Sequence, residues 1–306
     1  MPRIVSLLPS ATEIVAALGF EDDLVGRSHE CDFPLGVEAL PICTSPRLDV
    51  SGLSGAIDRD VHDLLRRALA IYDLDVERLQ ALRPDVVVTQ TQCDVCAVPL
   101  AQVELAARTC LAPEARIVAL EPTSLEAVWA DMRRVAAALG APDRGEALVE
   151  RLRGRLDGIA TQEQALHKRP RVASIEWIEP LMAGGNWMPE LIALAGGDNL
   201  LGTAGTHSPV IAWEALRAAD PDVLLVLPCG FGLGRTRAEA EALRALPGWP
   251  ALRAVRSGRV YLLDGNQYFN RPGPRLVESV EILAEVLHPG AFRFGHEGRG
   301  WEHMAG

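Results

Sequence analysis

The sequence is short of aromatic residues, with 3 Tyr, 6 Phe and 6 Trp in 306 positions. It also lacks positive charge: Lys and Arg number 30 against 41 Asp and Glu, a formal net charge of -11. A nucleic-acid partner is therefore excluded, because phosphate backbones demand an excess of Lys and Arg. No apolar run approaches the ~20 residues needed to cross a bilayer, so the chain is not membrane-embedded. The start, "MPRIVSLLPSATEIVAALG", has no basic region followed by an unbroken apolar core and a small-residue cleavage site. Read as it stands, the protein is expected in the cytoplasm, or in the periplasm or outside the cell if the start has been trimmed or miscalled. In a reducing compartment the six cysteines are thiols, and their irregular spacing in a long chain is no disulfide framework. There is no G-x-S-x-G elbow, P-loop, H-E-x-x-H or G-x-G-x-x-G after the first strand, so nothing points to an enzyme.

What the sequence does contain is an internal repeat. "ERLQALRPDVVVTQ" at 77–90 matches "EALRAADPDVLLVLP" at 214–228, pairing Glu77 with Glu214 and Asp85 with Asp222. Each reads as a short helix stopped before proline, then a buried strand. "RIVSLLPSATEIVAALGF" at 3–20 parallels "RVASIEWIEPLMAGGNWMPELIALAGGDNL" at 171–200, each a strand, a loop and a helix ending in glycine. This alternation implies an α/β protein of two lobes, each a mainly parallel sheet flanked by helices. Between them, 143–168 has no proline and apolar residues at near-helical spacing, and is expected to be a single long connector helix. The expected divisions are an N-terminal lobe at 1–142, the connector at 143–168, a C-terminal lobe at 169–288, and a Gly-, Arg- and His-rich tail at 289–306 that is peripheral or frayed.

Ligands of parallel α/β sheets bind beyond the carboxyl ends of the strands. The segments there carry the candidate residues: His29, Glu30, Cys31 and Phe33 in "VGRSHECDFP", Cys93 and Cys96 in "TQCDVCAVP", Cys229 and Phe231 in "LPCGFGLGR", then Trp177, Trp187, Tyr268, Phe269 and Arg271. If the two lobes face each other, these loops open onto one cleft. A few rings gathered in such loops suit a large, flat, partly apolar ligand. The thiols allow three readings: a zinc or iron–sulfur centre held by Cys31, Cys93, Cys96, Cys229 and His29, contact with a ligand's own metal or ring, or plain packing. Arg271 and Arg275 at a helix start suit an anionic or amide-rich group, or a solvated surface pair.

The stretches "RIVSLLPSATEIVAALG", "LVGRSHECDFP", "LDVERLQALRPDVVVTQ", "WEALRAADPDVLLV" and the helix after "RPGPR" resemble the substrate-binding proteins of ABC transporters for vitamin B12, siderophores and haem, most closely the cobalamin-binding branch. The resemblance spans about residues 3–288. It implies non-catalytic binding of a cobalamin-like corrinoid or related metal chelate. The ligand-contacting positions would be Glu30, Phe33, Cys93, Trp177, Trp187, Phe231, Tyr268, Phe269 and Arg271. It also implies that Glu77 and Glu214 meet arginines of an ABC permease. A cytosolic metalloprotein or metalloenzyme using the cysteines is the alternative.

Overall fold

The computed structural model describes residues 1–67, 70–91, 98–110, 114–166 and 168–304. They divide into two compact units, the first made mainly of Met1–Gly52, Ala56–Pro122 and Glu126–Arg151, the second mainly of Leu152–Gly306.

The first unit is built on four parallel strands, β1 (Ile4–Ser6), β2 (Leu24–Arg27), β5 (Val86–Gln90) and β6 (Arg116–Leu120), in the order β2-β1-β5-β6. A small antiparallel pair, β3 (Thr44–Pro46) and β4 (Tyr72–Leu74), lies beside them in the chain. The helices are α1 (Pro9–Ala17), α2 (Ser54–Arg66), α3 (Val76–Leu82), α4 (Leu100–Cys110), α5 (Leu125–Ala138) and the first part of α6 (Pro142–Gln164), whose residues from Leu152 belong to the second unit. β5 is buried along its whole length, which explains why it reads Val-Val-Val-Thr-Gln with no polar alternation. Val5, Leu7, Leu79, Val87 and Val103 form its core with Cys43 and Tyr72. Burial first, then the Asp75 carboxylate, pushes the Cys43 thiol up to about 11, so it packs as a small hydrophobe. α6 runs unbroken through Gly154 and Gly158 and ends at Gln164, shorter than the expected 143–168.

The second unit carries β7 (Arg171–Trp177), β8 (Met182–Ala183), β9 (Asp198–Asn199), β10 (Val223–Val226), β11 (Val260–Leu263) and β12 (Trp301–His303). Strands β11, β10, β7 and β9 are parallel, with β12 and β8 antiparallel at the margins. The helices are α7 (Met188–Leu194), α8 (Trp213–Ala219), α9 (Leu233–Arg244), α10 (Arg253–Arg256) and α11 (Leu276–Leu287).

The repeat in the sequence is a repeat in detail. α3 and α8 are both seven residues long and both end on a non-glycine left-handed residue, Arg83 at φ 43° and Asp220 at φ 39°, just before a proline. The next aspartate then ties down the first strand of its own unit. Asp85 Oδ2 accepts from the Arg3 amide at 2.7 Å, and Asp222 Oδ2 from the Arg171 amide at 3.0 Å. Burial pushes the Asp222 carboxyl up, but the Arg171 amide and the Arg253 guanidinium outweigh it and hold it below the usual range. Each clamp joins a helix end to the β1–β5 or β7–β10 pair. A charge-assisted bond of this kind contributes roughly 1.5–3 kcal/mol.

The tail is not frayed. After α11 the chain returns as β12 against β11, and two carboxylates of α11 hold the return. Glu285 accepts the amides of Phe294, of Gly295 at 2.6 Å and of His296 at 3.3 Å, and the Trp301 indole at 2.8 Å. Glu281 takes His296 Nε2 at 3.0 Å and Arg155 at 2.6 Å. These partners could not be read from Gly- and Arg-rich composition.

His288, 6% exposed, points Nε2 at the Ala195 carbonyl, 3.0 Å away. Burial above all pushes its pKa below the ordinary imidazole value of 6.5, with the Ala195 hydrogen bond and Glu163 opposing and Arg259 and Lys168 helping. The unfolded chain therefore binds more protons between the lowered folded value and about 6.5, so stability present above that range is lost as pH falls through it. The urea midpoint is expected to drop between about pH 7.5 and about pH 5.5, and to drop less in His288→Gln, whose amide keeps the bond without titrating. Equal slopes in the two proteins would assign the loss to other groups.

Candidate functional site

In the second unit, the carboxyl ends of β7, β10 and β11 bring three loops together. Trp177, half-buried, tilts over Phe231 with ring centroids 5.3 Å apart, and its indole donates to the Glu179 carbonyl at 3.0 Å. The Arg235 guanidinium lies 3.6 Å from the Phe231 centroid. Sequence reading missed Arg235, which lies in the first turn of α9, four residues after Phe231. Phe231 itself is 2% exposed, so it backs the surface that Trp177 and Arg235 present. Glu176 accepts from Ser208 at 2.8 Å, and exposed Cys229 donates its amide to the Glu176 carbonyl at 3.0 Å, pinning the β10 loop to β7.

Trp187, Phe269 and Arg271 do not face outward. Trp187 is buried and donates to the Phe269 carbonyl at 2.9 Å, while Phe269 and Arg271 are buried behind the same turn. The Trp187 indole thereby braces the 265–269 segment, and Arg271 reaches it by donating to Asn266 Oδ1 at 3.0 Å. Tyr268 is partly exposed under the Arg275 guanidinium, 4.5 Å from its ring. Trp213, at the start of α8, stacks on Trp249 and belongs to packing.

In the first unit, β2 delivers His29, Glu30 and Cys31. His29 Nδ1 lies 2.7 Å from the Thr44 hydroxyl oxygen, and its ring 5.2 Å from that of Tyr72, whose hydroxyl donates to Glu30 at 3.2 Å. Burial, then the Arg27 charge, lowers the His29 pKa, and among the described residues its buried Nε2 has no hydrogen-bond partner. The surrounding crevice, lined by Leu7, Ser28, Thr44 and Val98, has no water-sized space. Cys31 is buried, with the Thr12 hydroxyl 3.0 Å from its sulfur. Phe33 is exposed. Cys93 and Cys96 lie outside the described residues. Among the described residues no group of three or more His, Cys, Asp or Glu is gathered to hold a metal ion.

Glu77 and Glu214 are exposed and occupy the second position of α3 and α8 respectively. Glu214 borders a shallow pocket of about 450 Å³ with Arg217, Asp220, Gly248 and Leu252.

Comparison with known proteins identifies the scaffold. Residues 4–267 match the family model described as periplasmic binding protein. The chain is 24% identical over 302 residues to YvrC of Bacillus subtilis, described as an uncharacterized ABC transporter substrate-binding lipoprotein, covering 95% of this chain and 81% of that one. It is 25% identical over 295 residues to a vitamin B12-binding protein of Vibrio cholerae, covering 93% and 88%. Among solved structures, a periplasmic haem-binding protein from Pseudomonas aeruginosa superposes with a TM-score of 0.71 at 25% identity, over 95% of this chain and 94% of that one. These relatives overturn the cytoplasmic expectation, since they are periplasmic proteins or lipoproteins. The metalloenzyme alternative finds no support among them. The chain belongs to the periplasmic binding protein family, as the match over residues 4–267 shows.

Proposed function

We propose that the cargo is a planar metal–tetrapyrrole, in first place a cobalamin-like corrinoid. The observation that carries this reading is the surface at the ends of β7 and β10, where the Trp177 ring and the Arg235 guanidinium flank Phe231. Flat, polarizable groups of this kind suit the face of a large macrocycle, and the buried backing limits the ordering cost of binding. The vitamin B12-binding relative supports the corrinoid. Haem is the second reading, favoured by the similarity to the Pseudomonas haem-binding protein. Glu30, Phe33, Tyr268 and Cys93 are proposed as further contacts. Titration of purified protein with cyanocobalamin and with haemin, followed by visible absorbance after gel filtration, tests the reading. Co-elution of one chromophore at micromolar protein supports it, and co-elution of neither overturns it.

Glu77 and Glu214 are proposed as the permease-docking carboxylates, one on each unit. Their equivalent exposure at the second position of matching helices supports this. Carboxylates there also favour the helix dipole, by roughly 0.3–1 kcal/mol each. Reversing both to Arg is expected to cost about 1 kcal/mol of stability, to leave ligand affinity within about twofold, and to abolish co-purification with the cognate permease. Retained co-purification would remove the docking role.

A further inference from the structure

Phe231 is flanked from two elements, and one short segment touches both. Trp177 ends β7, and its indole donates to the Glu179 carbonyl in the loop that follows, at 3.0 Å. Arg235 stands in the first turn of α9, over the Phe231 ring. Glu239 lies one turn further along α9, on the side of the helix that carries Arg235. It is 6% exposed, and one residue engages both of its carboxylate oxygens. Ser54 donates its amide to Glu239 Oε1 at 2.9 Å and its hydroxyl to Oε2 at 2.8 Å.

Ser54 and Gly55 open α2, and together with Leu53 they belong to the second unit. A serine at a helix start ordinarily accepts from the amides that follow it. Here it donates twice, to a carboxylate 185 positions away in the chain. Ser54 is 1% exposed, so water does not compete for the pair. Losing either bond would leave a buried carboxylate oxygen short of a donor, which makes the clasp rigid. Gly55 in turn lies against Glu179: a methyl built on it would stand 2.6 Å from the Glu179 carboxyl carbon. The two residues thus bridge the β7 loop and α9, the elements that hold Trp177 and Arg235.

We propose that Ser54 and Glu239 are positioning residues of the ring site: their clasp fixes the β7 loop against α9 and so sets the gap between the Trp177 ring and the Arg235 guanidinium that meets the face of the macrocycle. This rests on the tetrapyrrole reading above and adds how the two flanks are set before the ligand arrives. Flanks set in advance spare the ligand the cost of ordering them.

Ser54→Ala tests it, because it removes the hydroxyl bond and leaves Trp177, Phe231 and Arg235 untouched. Affinity for cyanocobalamin or haemin, whichever the wild type binds, is expected to fall about five- to tenfold, the ordering cost of about one large side chain. Ser54→Thr restores the hydroxyl and should recover most of the loss. A double-mutant cycle separates positioning from general loosening. Once Trp177→Ala has removed one flank, adding Ser54→Ala should weaken binding by less than about twofold more. An equal loss in both backgrounds would overturn the inference, as would an affinity of Ser54→Ala within about twofold of wild type. Either result leaves the tetrapyrrole reading standing. Should Ser54→Ala fail to fold, Glu239→Gln, which weakens the clasp by removing its charge, is run through the same cycle under the same criteria. A wild type that binds neither chromophore would overturn both readings.

Discussion

Glu285→Ala is expected to lower the unfolding free energy by about 3–5 kcal/mol, read as a drop in urea midpoint at unchanged slope. The residue is 7% exposed and gathers four donors from the tail: three consecutive backbone amides and the Trp301 indole. Removing the carboxylate leaves the His296 amide and the Trp301 indole buried without it and the Phe294 and Gly295 amides part-buried, which costs more than the net worth of the bonds in the native protein. The loss spreads to the sheet. β12 pairs with β11 through Leu263↔Trp301, and Trp301 lies 5.6 Å from the Tyr261 ring. A freed tail thus uncovers the edge of the strand that leads into the Asn266–Gln267 turn. Limited proteolysis between 289 and 300 should become faster in the variant. A change under about 1 kcal/mol would mean that the tail is held by its rings and strand pairing instead.

That tail was illegible in the sequence for a physical reason. Its partners are glutamates on a helix, and a helical glutamate looks like solvated surface until the fold buries it. Glu281 and Glu285 are four apart on α11 and so share a face, but "LVESVEILAEVL" does not say which face the tail will cover. The lobes, by contrast, were legible because the duplicated helix–Pro–Asp–strand units encode both local geometry and a clamp. Asp85 and Asp222 stand next to prolines that stop α3 and α8, and each holds the first strand of its own unit. In the second unit Trp177, Phe231 and Tyr268 fall at the ends of β7, β10 and β11, where the strand pattern puts them, but Trp187, Phe269 and Arg271 are buried. Aromatic identity predicts burial as readily as contact. The cytoplasmic expectation failed because a missing leader pattern says nothing about where a family works. The thiol hypothesis drew on one C-x-x-C spacing and on cysteines placed in loops after strands. Of its five members, Cys31 is buried beside Thr12, His29 is held by Thr44, and Cys93 and Cys96 fall outside the described residues.

Trp177→Ala is expected to weaken binding of the accepted tetrapyrrole by about 30- to 300-fold, roughly 2–3.5 kcal/mol, with little effect on stability. The asymmetry follows from burial. Trp177 is only half-buried, and its one polar bond is to a carbonyl two residues away, so the fold loses little when the ring is removed. Phe231 offers the contrasting case: at 2% exposure its truncation leaves a cavity in the second unit, and Phe231→Ala should cost about 3 kcal/mol of stability as well as affinity. The Trp177 ring is held at a tilt by Phe231, so its contact with a macrocycle needs little ordering on binding. Trp177→Phe should recover most of the affinity, since a smaller ring still offers a face, whereas Trp177→Leu should recover little despite its apolar bulk. Full affinity in the leucine variant would show that apolar area alone is used, and the ring-face argument for a planar cargo would fall with it.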